Sequence, residues 1–325
     1  MKKFILRSLR HCGAFALTRM LTRDMPRILM YHNFSHNGRD DRYAATPDVI
    51  GTQFLHLKQH FRVVPLQQLV EQLSNGARLD DGMVVITIDD GRRNCYEVLF
   101  PLLREFGFPA TFYVVSSVIN GDDWIWTDKL LWLSEQPNRP DELSPSGLGA
   151  LFKTLNRMRP AERDARIENL ARIAGCVIPT SPPQKYESCS WDQLREMADS
   201  GLVEIGSHSV THPIFSSLTD EESWSEFTLS RDRIEQKIGR RVRSFCFPNG
   251  ESGDYRRSQV EQAKRAGYGS AVVSRFGLVQ FGADPYELPR IGISGLTDVV
   301  TFRKYLDGAE HWQIQLTGVA HPRST

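Results

Sequence analysis

With 325 residues, 40% hydrophobic and 24% charged, the chain has the composition of a soluble globular protein and ample length for a large core. A net charge of +1 argues against a nucleic-acid partner. Five scattered cysteines (Cys12, Cys95, Cys176, Cys189, Cys246) exclude metal-finger spacing and a dense disulfide framework, and fit a reducing compartment.

Residues 1–23 carry Lys2, Lys3, Arg7, Arg10, Arg19 and Arg23 and no acid. On a helical wheel Ile5, Leu6, Leu9, Ala16, Leu17 and Met20 fall on one side, and Lys3, Arg7, Arg10 and His11 on the other. Two readings stay open. One is a basic amphipathic helix lying on an anionic membrane face. The other is a helix packed on the domain with its basic side in water. The uncharged stretch from Cys12 to Thr18 is too short to span a bilayer, and Arg19 interrupts it as a secretory signal. The expected location is therefore cytoplasmic, with peripheral contact to the inner membrane face.

From residue 24 onward, strands alternate with helices. An apolar run at 27–31 precedes helical spacing at 52–60 and 66–73. A β-branched strand at 83–88 leads to a helix at 94–106, stopped by Gly107-Phe108-Pro109, and a strand at 110–115. Then come a helix at 191–200, a strand at 203–205, a long helix at 221–238, and a strand at 244–247. A helix at 256–266 and strands at 269–273 and 286–291 complete the series. This alternation predicts an α/β fold with a parallel sheet of about seven strands, close to a (β/α) barrel. Residues 120–188 break the rhythm with Trp124, Trp126, Trp132, several prolines and a helical stretch at 160–175. They read as a partly helical insertion. The expected organisation is an N-terminal helix over 1–23, one barrel domain over 24–300, and a C-terminal helix and tail over 301–325.

Asp89 and Asp90 end the strand at 83–88, and Gly91 follows. Two adjacent carboxylates at a buried strand end repel, and burial raises the cost of charging either. A metal ion or a shared proton resolves that cost. His208 and His212 lie four residues apart, just after the strand at 203–205, and a helical backbone turn aims both the same way. Imidazole and carboxylate together suit zinc and similar divalent ions, and three protein ligands with open positions are the catalytic pattern. Pro248-Asn249-Gly250 makes a sharp turn after the strand at 244–247. Such a turn either aims a backbone N–H at a developing oxyanion or simply connects strand to helix. His32 ends the first strand, whose end meets the same barrel rim.

Together these stretches resemble the NodB-homology polysaccharide deacetylases, carbohydrate esterase family 4. The motifs are Thr87-Ile88-Asp89-Asp90-Gly91 and Ser207-His208-Ser209-Val210-Thr211-His212-Pro213, with Phe108-Pro109-Ala110-Thr111-Phe112-Tyr113-Val114-Val115 as a strand signature and Ala263-Lys264-Arg265-Ala266-Gly267-Tyr268 before a strand. The opening Leu29-Met30-Tyr31-His32 is similar to the branch that includes poly-N-acetylglucosamine deacetylases. The resemblance spans roughly residues 27–295 outside the insertion. It implies a distorted (β/α)7 barrel and a metal-dependent N-deacetylase of acetylated amino sugars. By position, Asp90, His208 and His212 bind the metal, zinc first, with nickel, cobalt, iron or manganese also compatible. Asp89 is the base and His32 the general acid.

The chain departs from the family at three places. Ile88 replaces a Phe, Asn249 stands where Tyr is common, and Cys246 stands where an Arg is common. Arg290 is the residue expected to orient Asp89 instead. Trp124, Trp126 and Asp128 are candidates to stack on or bond sugar, against a packing role in the insertion. The expected function is removal of an acetyl group from an N-acetylated sugar in a glycan or a lipid-linked precursor, for example one destined for lipopolysaccharide. The alternatives are hydrolysis of another amide or an O-acetyl ester on the same fold, or non-catalytic carbohydrate binding.

Overall fold

The computed structural model of the chain describes residues 14–38, 43–121 and 123–317. Its parallel strands are β1 (Arg27–Tyr31), β2 (Arg62–Val63), β3 (Met83–Ile88), β4 (Ala110–Val114), β5 (Val203–Ser207), β6 (Ser244–Cys246), β7 (Ser270–Phe276) and β8 (Leu288–Gly292). The order β1-β8-β7-β6-β5-β4-β3 closes on itself because β1 also pairs with β3, from Arg27↔Val84 to Tyr31↔Ile88. The result is a closed seven-stranded barrel with flanking helices. β2 stands outside the ring, pairing only with Met83 and Val84 of β3. At two residues it is too short for the sequence to announce.

β1, β3 and β4 are buried along their whole lengths, so they read as unbroken apolar runs. Their side chains still alternate. Ile28, Met83, Val85, Tyr113, Cys246, Val272 and Leu288 form one cluster in the barrel interior. Leu29, Val84, Ile86, Ile88, Phe112, Phe245, Val273 and Ile291 form the layer beneath the helices.

The helix expected at 94–106 is a π-turn, Cys95–Leu99, followed by an α-helix, Phe100–Phe106. Pro101 has no N–H to give, and its ring crowds the carbonyl four residues back. The chain widens, and the Phe100 N–H reaches the Cys95 carbonyl, five residues back. The long helix is Asp220–Ile238, opened by a Thr219–Glu222 capping box and closed by Gly239 at φ 71°.

The insertion between β4 and β5 is more helical than expected. Trp126–Ser134, Leu148–Leu155 and Pro160–Ile173 are all helices. They bury a core of their own, including Trp126, Leu130, Leu133, Leu155, Ile167 and Leu170, joined to the barrel through Val115 and Val118 after β4. The C-terminal segment holds two short helices, Val299–Leu306 and Ala309–Thr317, separated at Gly308, where φ is 80°. Both contact the helix Ala14–Leu21. Arg19 donates to Asp307 at 3.0 Å, so this N-terminal helix packs on the domain while Leu17, Met20 and Leu21 stay exposed. The rest of the predicted amphipathic helix, residues 1–13, and the tail 318–325 lie outside the described residues. Among the described residues no helix is long and apolar enough to cross a membrane.

Gly206, just before the histidine loop, faces the Tyr113 ring across β5 and β4. A Cβ there would come within 2.5 Å of the ring carbons. We predict that Gly206→Ala lowers stability by about 1–3 kcal/mol through overpacking, seen as a lower urea midpoint and Tm.

Candidate active site

Asp89 extends the β1–β3 pairing by one residue, its N–H donating to the Tyr31 carbonyl at 2.9 Å. The backbone then turns through Asp90 (φ 74°) and Gly91 (φ 72°), and the two carboxylates part. Both oxygens of Asp89 accept from Arg290, Oδ1 from Nη1 and Oδ2 from Nη2, each at 2.7 Å. Arg290 comes from β8 and is fully buried. Its remaining donors reach the Val273 carbonyl and Thr87 Oγ1, each at 3.1 Å. Burial pushes the Asp89 carboxyl up, but the guanidinium outweighs it and holds the group well below the usual carboxylate range. Burial likewise lowers Arg290, and Asp89 more than restores it. The pair is charged on both sides.

Asp90 faces other partners. Its Oδ1 lies 3.7 Å from Nε2 of both His208 and His212. The loop that carries them is heavily fastened. Glu226 accepts from the Val210 N–H (2.6 Å), the Thr211 N–H (3.1 Å) and the Thr211 hydroxyl (2.7 Å). The His212 N–H donates to Ser209 Oγ at 3.0 Å, and Ser230 donates to the Ser209 carbonyl at 2.9 Å. Ser209 (φ 69°) and His212 (φ 56°) take left-handed backbone, as do Asp90 and Asn249 (φ 58°). These are four of the five non-glycine residues with positive φ among those described, a concentration of local strain at one place.

His208 Nδ1 lies 2.8 Å from the Cys246 carbonyl, which can only accept, so Nδ1 carries the proton and Nε2 offers a lone pair toward Asp90. Burial lowers the pKa of His208, and burial together with His208 lowers that of His212 to about 3. Burial raises Asp90, but Arg92 and the nearby histidines outweigh it and hold that carboxyl down. One carboxylate oxygen and two imidazole nitrogens therefore converge within 4.8 Å. This set fits a divalent cation with open positions. Asp89, His208 and Cys246 also cluster within that distance. A cation there has to displace Arg290 from Asp89, and burial pushes the Cys246 thiol well above its usual range. The Asp90 set is the better site.

His32 Nε2 lies 3.6 Å from Asp89 Oδ2, with the histidine side chain 44% exposed and the aspartate 2%. His32 is thus on the solvent side of Asp89. Pro248 is buried and Asn249 exposed. The Asn249 side-chain amide donates to Asp254 Oδ2, which also accepts the Glu251 N–H at 2.9 Å. That side chain is committed to the turn, and its backbone N–H has no protein acceptor among the described residues.

The sugar-contact expectation for the insertion residues needs correction. Trp124 is buried, donates to the Pro179 carbonyl at 3.1 Å, and packs against Trp132 and Tyr186. Trp126 is buried with its indole N–H on the His212 carbonyl at 3.0 Å and the Arg163 guanidinium 4.8 Å from its ring centroid. Asp128 is buried and accepts from Arg92 Nη2 at 2.6 Å. Burial raises its pKa to about 6 despite Arg92. All three are enclosed because the insertion builds its own core. Arg92 went unnoticed in the sequence, although it lies only two residues past Asp90.

A family model described as polysaccharide deacetylase matches residues 76–271. The poly-beta-1,6-N-acetyl-D-glucosamine N-deacetylase of Escherichia coli (strain K12) is 20% identical over 307 residues, covering 86% of this chain. The chain spans 38% of that relative's length. Streptococcus pyogenes deacetylase PplD, solved in complex with acetate, superposes with a TM-score of 0.61 at 16% identity, covering 87% of this chain and 98% of its own. IcaB from Ammonifex degensii superposes with a TM-score of 0.61 at 18% identity, covering 87% and 97%. These two structures share the fold.

The depressed Asp89 pKa contributes stability above the normal carboxylate range, and that contribution is lost as pH falls through the folded-state value. Arg290→Met leaves a buried charge without its partner and is expected to cost about 3–5 kcal/mol in urea unfolding. Burial then dominates Asp89, so the acid limb of the pH–activity profile should move to higher pH.

Proposed function

The chain belongs to the polysaccharide deacetylase family, and on that premise we propose that it hydrolyses the acetamide of an N-acetylated amino sugar in a glycan, releasing acetate and a free amine. The observation that carries this reading is the convergence of Asp90, His208 and His212 beside an Asp89 already neutralised by Arg290. A divalent ion at Asp90, His208 and His212, zinc first, would supply Lewis acidity, polarising an acetyl carbonyl and acidifying water. Asp89 is anionic at working pH and separate from those three ligands, so it accepts the proton of the attacking water. The Asn249 N–H supports the carbonyl oxygen as charge builds on it. His32 delivers a proton to the departing amine, which is a very poor leaving group without one. Similarity to the poly-beta-1,6-N-acetyl-D-glucosamine N-deacetylase of Escherichia coli supports a polymer of N-acetylglucosamine as the substrate class.

The same reading extends to a lipid-linked glycan at the cytoplasmic membrane face. The six basic residues of 1–23 support it, with Leu17, Met20 and Leu21 exposed on Ala14–Leu21. The free thiols of Cys95, Cys176, Cys189 and Cys246 agree with a reducing compartment.

The direct test is acetate and free-amine release from N-acetylglucosamine oligomers. Chelation should abolish release and zinc should restore it. Asp89→Asn should cost about 10²–10⁴-fold in kcat. Acetate release that survives both Asp89→Asn and His208→Ala contradicts the mechanism. For the membrane reading, flotation with vesicles containing anionic lipid should recover the protein, and Leu17→Ser with Met20→Ser should weaken recovery. Equal flotation on neutral vesicles, or recovery of the native protein only from the periplasm or medium, argues against it.

A further inference from the structure

Two contacts lead from the helical insertion to the metal-ligand set, and both start in the first turn of Trp126–Ser134. Asp128 accepts from Arg92, and Arg92 Nε lies 3.6 Å from Asp90 Oδ2. Trp126 holds the carbonyl of His212. We infer that the insertion is a clamp on the metal centre, with Asp128 and Trp126 as positioning residues for Asp90 and His212. This inference rests on the metal-centre reading above and assigns the insertion a role within it.

The chemistry of Arg92 makes Asp128 necessary. Its Nε is buried and has no hydrogen-bond partner, while Nη2 is taken by Asp128. Arg92 therefore offers Asp90 a single edge, toward Oδ2, and leaves Oδ1 to the two imidazoles. Without Asp128 the guanidinium is free to form a two-pronged pair with Asp90, as Arg290 does with Asp89, and so occupy the ligand oxygen. Asp128 also adds a buried negative charge near the cation site.

The two histidines differ in how they are aimed. His208 is fixed through its own ring, by Nδ1 on the Cys246 carbonyl. His212 Nδ1 is buried without a partner. Its ring has no hydrogen bond of its own to orient it, so its direction depends on a left-handed backbone. The bond from Trp126 to the His212 carbonyl and the bond from the His212 N–H to Ser209 hold that backbone. Trp126 is itself immobilised in the insertion core beneath Arg163. Partners of this kind, one step behind the ligands, commonly govern metal affinity.

The test is zinc affinity of the chelator-stripped full chain, measured by competition with a chromophoric chelator and independent of any substrate. Asp128→Asn and Trp126→Phe should each weaken zinc binding by about 10–100-fold. Arg166→Gln breaks an ion pair with Glu142 within the insertion but touches neither link, and should bind like wild type. Thermal melts of the apoproteins identify folded variants, and Trp126→Phe, which removes the indole N–H and part of the ring but keeps an aromatic side chain in the insertion core, carries the test if Asp128→Asn does not fold. Wild-type affinity in the folded variants overturns the clamp. An equal loss in Arg166→Gln also overturns it, because the effect is then general loosening of the insertion. A wild-type chain that binds no zinc overturns the metal-centre reading itself.

Discussion

Two neighbouring carboxylates at the end of one buried strand set the constraint that the rest of the site answers. Left together in a dry environment they would repel, and one would take a proton. The left-handed turn at Asp90 separates them, and each acquires a different compensation. Asp89 meets a guanidinium inside the barrel, a partner that stays charged at any working pH. Asp90 meets two neutral imidazoles and the edge of Arg92, which leaves one oxygen in need of a cation. The separation into the proposed base and the proposed ligand therefore has an electrostatic origin.

The Asp89–Arg290 pair has a cost. A carboxylate held so far down is always available but is a weak base. A divalent ion held by Asp90, His208 and His212 would offset that deficit by acidifying water, so under the proposed function the ion pair and this ligand set would depend on each other. Cys246 belongs to the same arrangement. Its thiol lies 3.1 Å from Arg290 Nη2 and 3.4 Å from Asp89 Oδ2, filling space beside the pair without adding a rival charge. The arginine arrives from β8 rather than from position 246, the last residue of β6.

The barrel and the cluster of candidate metal ligands were readable in the sequence because their signals are local. Apolar runs mark β3, between Gly82 and Gly91, and β4, after Gly107-Phe108-Pro109. Asp89, Asp90, His208 and His212 sit at strand ends, where a barrel brings them to one rim. What the sequence hid was tertiary. β2 is two residues long and exists only through its pairing with β3. The π-turn at Cys95–Leu99 needed Pro101 to be read as a widening rather than as an ordinary helix position. Trp124, Trp126 and Asp128 carry residue types that suit sugar contact, and nothing local says that the insertion encloses them. Arg92 was within view, yet its meaning depends on Asp128, 36 residues away.

The central claim is that the cation belongs to Asp90, His208 and His212, leaving Asp89 to its arginine. X-ray absorption at the zinc edge of the zinc-loaded protein tests this directly. The account predicts a shell of nitrogen and oxygen only, at about 2.0–2.2 Å, with the multiple-scattering pattern of two imidazoles. A sulfur scatterer at about 2.3 Å would place the ion on Cys246 and Asp89 instead, and would contradict it.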